Sequence, residues 1–257
     1  MTTLNAALLV LGLFVGMLLC LETGRWIGLL RIEQSKDGAG PGFGALEGAI
    51  FGLLGLLVAF TFSGAATRFE TKAQLIVDEA NAIGTAYLRI DLLPAVAQPA
   101  LRQAFRRYAD TRVKVYEKLP DIQAAKVEMS RAVALQKEIW ALAVAACREI
   151  STPATVTLVM SSLNEMIDIT TTRTVALQRH TPPIILALLA VVSLVCSFLA
   201  GFDAAGRKAR SWVHTLGFAA ILAVTFYVIL DLDHPRAGLI RLTSVDQVLV
   251  ELRGSMK

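Results

Sequence analysis

The stretch at residues 43–94 constrains this chain more than any other. An apolar run carrying one carboxylate, FGALEGAIFGLLGLLVAFTFSG, passes without a break signal into AATRFETKAQLIVDEANAIGTAYLRIDLLP, whose polar residues recur at helical spacing. About 20 apolar helical residues cross a hydrocarbon layer of ~30 Å. The continuation is too charged to remain in lipid. One helix is therefore expected to leave the membrane and enter a helical domain outside it.

Residues 4–21, 183–202 and 212–230 are three further spans of this kind, and none of the four contains Lys or Arg. Hydrophobic residues make up 55% of the chain and are gathered in blocks, which is the pattern of an integral membrane protein. The first span has no basic segment before it and no small-x-small cleavage site after it, so it reads as a retained anchor. The expected fold is an all-α integral membrane protein with four transmembrane helices and a helical extramembrane domain between the second and third. Residues 1–64 hold the first two helices, 65–181 the helical domain, 182–232 the last two helices and 233–257 a C-terminal segment.

Inside the domain, Phe69, Ala73, Ile76, Ala80, Ile83, Tyr87 and Ile90 recur at alternating spacings of four and three, the stripe a helix buries against partners. Pro94 and Pro99 end that helix. A second helix sets Leu101, Phe105, Tyr108, Val115 and Leu119 on one face, with Arg102, Arg106, Arg107, Lys114 and Lys118 mainly elsewhere. Pro120 and Asp121 restart the chain for a third helix over about residues 122–150. Thr152 followed by Pro153 then reads as an N-cap and first helical residue of a fourth. No period-two run calls for a strand.

Catalysis finds no support. His180, His214 and His234 are scattered, and GxSxG, HExxH, GKS/T and CxxC motifs are absent, so the chain reads as a non-enzyme. Cys20, Cys147 and Cys196 share no short spacing, which points to neither a disulfide framework nor a metal site; no cofactor is expected. The net charge of +4 is dispersed among acidic residues, so nucleic acid is not an expected partner. The short connections carry Arg25, Arg31 and Lys36, then Arg207, Lys208 and Arg210. The preference for positive loops inside would put both there and the helical domain on the outer side.

Several residues stand out as candidates. Leu54, Val58 and Phe62 recur every four residues along the second span and are the candidate ring of a hydrophobic pore constriction, which gates ions by dewetting. Glu47 at one end of the span and Arg68 and Lys72 beyond the other are candidate mouth residues, since ionisable groups near a span usually face protein, water or a partner. Asp78, Glu79, Asn81 and Arg89 decorate the helix after the span, and Asp231 and Asp233 close the fourth span ahead of His234, Pro235 and Arg236. Ion pairing is the expected use of these polar clusters, with Asp231 or Asp233 directed at Arg236. Gly12 with Gly16, and Gly44 with Gly48 and Gly52, are spaced for close helix approach.

Three sequence words give the chain a family resemblance. They are GLLGLLVAFTFSGAATRFE at residues 52–70, DEANAIGTAYLRIDLLP at 78–94 and LDLDHPRAGLIRL at 230–242. In this order they resemble the bestrophin-like membrane proteins, a family catalogued as a domain of unknown function with distant similarity to bestrophins. Bestrophins are pentameric anion channels with four spans per subunit, a pore lined by the second helix and a large helical domain between the second and third spans. The resemblance implies a homo-oligomer, a pentamer, in which Leu54, Val58 and Phe62 stand where a bestrophin has its hydrophobic neck. It also implies cytoplasmic termini and a cytoplasmic helical domain, opposite to the side the loop charges favour. The acidic calcium cluster of eukaryotic bestrophins has no counterpart beyond Asp231 and Asp233, so no calcium control is expected.

The expected function is thus a homo-oligomeric ion channel, conducting anions through an axial pore lined by the second helix. Its partners would be copies of itself, membrane lipid and small inorganic ions, in a bacterial inner membrane. The alternative is a membrane-anchored sensor or scaffold whose helical domain binds a ligand or another protein.

Overall fold

The structure, a computed structural model, describes residues 3–34, 44–118, 121–206, 212–236 and 238–256. Lys36, Phe43, Leu119, Pro120, Arg207, Lys208 and Arg210, used in the sequence reading, lie outside the described residues. The described chain is helical throughout, with eight α-helices and two 3-10 turns: α1 (Thr3–Gln34), α2 (Gly44–Leu88), α3 (Gln98–Glu117), α4 (Ile122–Cys147), α5 (Pro153–Gln178), α6 (Pro183–Asp203), α7 (Trp212–Asp233) and α8 (Thr243–Ser255). Four helical stretches are long and apolar enough to cross a membrane, and they fall on α1, α2, α6 and α7.

The chain divides into two compact units, Met1–Arg68 with His180–Leu239, and Phe69–Arg179 with Ile240–Lys257. In the first, α1 packs along α6 and α7. The close approach of α1 and α6 is made by glycines. A Cβ at Gly24 would overlap the Phe198 carbonyl, one at Gly28 would lie 2.8 Å from the Phe202 carbonyl oxygen, and one at Gly201 would overlap the Leu21 carbonyl. Backbone contact this close replaces the hydrophobic drive that lipid removes. The glycines singled out from spacing behave differently: Cβ atoms at Gly12, Gly44, Gly48 and Gly52 would meet nothing within 4 Å, and one at Gly16 would touch Leu194 at 3.2 Å. Spacing identifies a face on which a helix can be approached closely, and the position of the partner decides whether it is used. The hydroxyls of Thr61, Ser193 and Ser197 donate to carbonyls four residues earlier, on Leu57, Leu189 and Ser193. Polar side chains in the apolar helices are thereby satisfied without a partner helix.

In the second unit, the end of α2 and its 3-10 continuation, Arg89–Leu92, join α3, α4, α5 and α8 around one core. Ile76, Ala80, Ile83, Tyr87 and Ile90 are all buried, as are Leu101, Phe105, Tyr108 and Val115 of α3. Phe69 and Ala73, from the same stripe, pack against this core. Tyr87 and Phe105 meet edge to face with centroids 5.9 Å apart, a favoured aromatic geometry. Asp121 caps α4 by accepting from the backbone N–H of Gln123 and Ala124, which satisfies donors left open by the first turn. Thr152 holds the N-cap position of α5 without a side-chain cap, and Pro153 is in its first turn.

The C-terminal segment forms α8, an element the sequence reading left unassigned. It packs on α3 with Leu242, Leu249 and Met256 buried. The Arg253 guanidinium donates to both Asp110 carboxylate oxygens, at 2.6 and 3.1 Å, a bidentate pair with fixed orientation.

Candidate functional site

Each unit contains one organised polar centre. In the first unit it is a clasp at the end of the apolar half of α2. Arg68 points its Nε at Asp233 Oδ1, 2.9 Å away, and also bonds Thr181 Oγ1. The second oxygen, Asp233 Oδ2, accepts from the Thr181 backbone N–H at 2.7 Å. One buried carboxylate at the end of α7 therefore holds the exit of α2 and the entry of α6. Asp231, one helical half-turn earlier, accepts the Leu239 N–H on both oxygens, at 3.0 and 3.1 Å. A Cβ at residue 238 would overlap this carboxylate, so the turn after α7 requires Gly238. The two Asp residues of LDLDHPRAG thus do different work: Asp231 closes the turn and Asp233 binds Arg68 and Thr181.

In the second unit a charged group lies within the apolar core. Glu79 is fully buried, and Arg112 and Arg173 are 1% and 2% exposed. Arg112 bonds Glu79 Oε1 and the Tyr116 hydroxyl, and Arg173 bonds Glu79 Oε2. Tyr116 donates to Glu79 Oε2 at 3.1 Å, and the Arg173 guanidinium lies 3.7 Å from the Tyr116 ring centre, a cation–π contact. Asp246 of α8 stands 3.6 Å from Arg173, so two carboxylates balance two guanidiniums. Beside them, Gln136 donates to the Tyr108 hydroxyl at 3.1 Å and to Thr170 at 3.3 Å. Burial raises the Glu79 pKa, but the adjacent Arg112 and Arg173 charges overcome this and hold it below the ordinary carboxylate range. Burial pushes the Tyr108 hydroxyl up to about 12. Tyr116 moves in the same direction, through burial and then the Glu79 charge, so both phenols stay protonated donors.

The other candidates are dispersed. Asp78 accepts from Gln74 at 2.9 Å, Arg89 donates to the Leu158 carbonyl at 2.6 Å, and Asn81 is exposed. Glu47 lies half-buried in the first turn of α2, and Lys72 is buried. Along the expected pore stripe, Leu54 is 4% exposed, Val58 is half-buried and Phe62 is 42% exposed. A step of four residues in a straight helix overshoots one turn by about 40°. Leu54 and Phe62 therefore point about 80° apart, enough to separate buried from exposed.

Sequence reasoning missed Arg112, Tyr116 and the pairing role of Arg173. The signal was present: Leu101, Phe105, Tyr108, Arg112 and Val115 continue one stripe at spacings of four and three, and a charged residue within an apolar stripe requires a buried counter-charge. Among the described residues no cluster of His, Cys, Asp and Glu suits a metal ion.

Comparison with known proteins gives a consistent result. Residues 26–246 match the family model described as a bestrophin-like domain. Solved structures of a bacterial bestrophin homologue from Klebsiella pneumoniae share the fold. A point variant superposes with TM-score 0.65 at 15% identity, covering 96% of this chain and 98% of that one. The structure phased by Zn-SAD gives TM-score 0.62 at 15% identity, with 93% and 98% covered. No protein with a curated description matches.

Proposed function

Since the chain belongs to the bestrophin-like domain family, we propose that it assembles with copies of itself into an ion channel whose axial pore is lined by α2. The observation that carries this reading is the condition of α2. It runs unbroken over Gly44–Leu88, about 68 Å at 1.5 Å per residue, more than twice the apolar thickness it has to cross. Its spanning half leaves Leu53, Leu56, Phe60 and Phe62 exposed in the single chain, and Cβ atoms at Gly48, Gly52 and Gly55 would meet nothing. In an oligomer these are the surfaces that neighbouring subunits and the pore axis would take. Val58 and Phe62 form the constriction, with the buried Leu54 as support behind them.

Anion conduction is the finer part of the proposal. It is supported by the likeness to bestrophins and by the positive edge of the phenyl ring at Phe62. Arg68 contributes less to an attractive field than a solvated cation would, because Asp233 neutralises it; Glu47 marks the opposite end of the span.

The test is the reversal potential of the purified protein in planar bilayers under a chloride gradient, with a large impermeant cation on both sides. A shift to the chloride equilibrium potential is expected, and Val58→Ala with Phe62→Ala should raise conductance. Silence from folded, inserted wild type and double variant, together with a dimeric mass, would replace the channel with the membrane-anchored scaffold.

A further inference from the structure

We propose that the cleft between α1 and α7 holds one acyl chain of a membrane phospholipid. Ala220 and Ala223 of α7 line it together with Ala7, Val10 and Phe14 of α1, and the short alanine side chains leave a groove of about 350 Å³ between the two helices. Its lips, Leu11 and Val224, are exposed, so the groove opens sideways along the apolar surface of its unit. The hydroxyl of Tyr227 is the one polar side-chain group among the described residues that line it, and it donates to the Asp231 carboxylate.

The groove has a direction. A Cβ at Gly16 would touch Leu194 and one at Gly28 would meet Ala205, so α1 and α6 run the same way. Because α6 begins and α7 ends at the Asp233 clasp, Ala7 and Tyr227 lie toward the clasp and Phe14 and Ala220 lie deeper. Tyr227 precedes Asp233 by six residues, about 9 Å along the helix, and the interfacial zone of a bilayer is about 5–8 Å deep on each side. With the charged clasp at headgroup level, Tyr227 sits at the edge of the hydrocarbon, where tyrosine is favoured. Ala220 is about 10 Å deeper, near the midplane of a layer of ~30 Å. This is the path of an ester-linked chain within one leaflet.

Size and chemistry select the occupant. A buried water needs two to four polar partners, and a single hydroxyl already bonded to Asp231 does not supply them. Walls without partner atoms forfeit their dispersion contacts, so apolar matter belongs there. A helix of a second copy is about 10–12 Å across with its side chains, and a 10 Å length of it displaces roughly 800 Å³, more than twice the groove. A 150 Å³ cavity takes benzene, so in proportion this groove takes a chain of about a dozen carbons. A flexible hydrocarbon chain therefore fits where a helix does not, and it bridges α1 and α7 where the alanines leave them apart. The site stands whether or not the protein conducts ions.

The test is photolabelling of the full-length protein in lipid nanodiscs that contain phosphatidylglycerol with a diazirine on one acyl chain, read by mass spectrometry of the labelled peptides. Ile184 and Leu188, exposed on α6, report contact with bulk lipid. Label at Val10, Phe14 and Ala223 should exceed label at these two severalfold. A diazirine near the ester should mark Ala7 and Tyr227, and one near the chain end should mark Phe14 and Ala220. Ala220→Leu with Ala223→Leu fills the groove, and should bring its label down to the bulk level while Ile184 and Leu188 stay unchanged. If the double variant does not fold, Ala220→Leu alone, at an exposed position, gives the same reading. Three results would overturn the site: groove label equal to bulk, or indifferent to filling, means surrounding lipid only; groove label below bulk means that a neighbouring subunit covers it; and the same marks from both diazirine positions mean that no chain lies along it.

Discussion

Glu79→Gln is the sharpest probe of the charged core. The substitution keeps the shape of the side chain and its bonds in outline but removes one of two negative charges facing Arg112 and Arg173. Arg173 retains Asp246 at 3.6 Å; Arg112 is left with the Tyr116 hydroxyl and no carboxylate partner among those described. Breaking a buried pair costs about 3–5 kcal/mol, and the surviving Asp246 contact puts this case near 3 kcal/mol. At about 2–4 °C per kcal/mol for a chain of this size, Tm should fall by roughly 6–12 °C. Trp140 in α4 is the reporter: with Trp26→Phe and Trp212→Phe it becomes the only tryptophan of the three, and its fluorescence follows melting in mild detergent. Adding Arg112→Met restores the charge balance and should recover part of the loss, which makes the comparison a double-mutant cycle. The acid limb gives an independent check. Glu79 has a lowered pKa in the fold, so its contribution is full above the unfolded carboxylate value of about 4.3 and fades as pH falls through the lower folded value. Wild type and Glu79→Gln should therefore converge in strong acid. A loss under about 2 °C at neutral pH, or no convergence in acid, would refute the reasoning.

Two further predictions concern the frame. Gly201→Ala places a methyl group on the Leu21 carbonyl, so α1 and α6 must separate; the protein should melt at lower temperature and more α1 backbone amides should exchange, whereas Gly217→Ala, which meets nothing, should be neutral. Asp121→Ala removes the α4 cap and should cost about 1 kcal/mol, read as a drop of a few degrees in the Trp140 transition with the helix otherwise retained.

The sequence alone determined the membrane class, four spans, the helix leaving the membrane without a break and the faces that α2 and α3 bury. These follow from composition and from periodicity, and a helix with an apolar stripe has few ways to use it in water. Family membership was also legible, because three long words in fixed order seldom coincide by chance. Tertiary structure alone decided which charges meet. Glu79, Arg112 and Arg173 are far apart in the chain, and only the packing of three helices brings them together. The same holds for Asp233, which binds Arg68 of a distant span. It also holds for the glycines, where open faces at Gly48 and Gly52 read like the occupied ones at Gly24 and Gly28. Periodicity is a local property of one helix, whereas pairing and close approach depend on where a second helix lies.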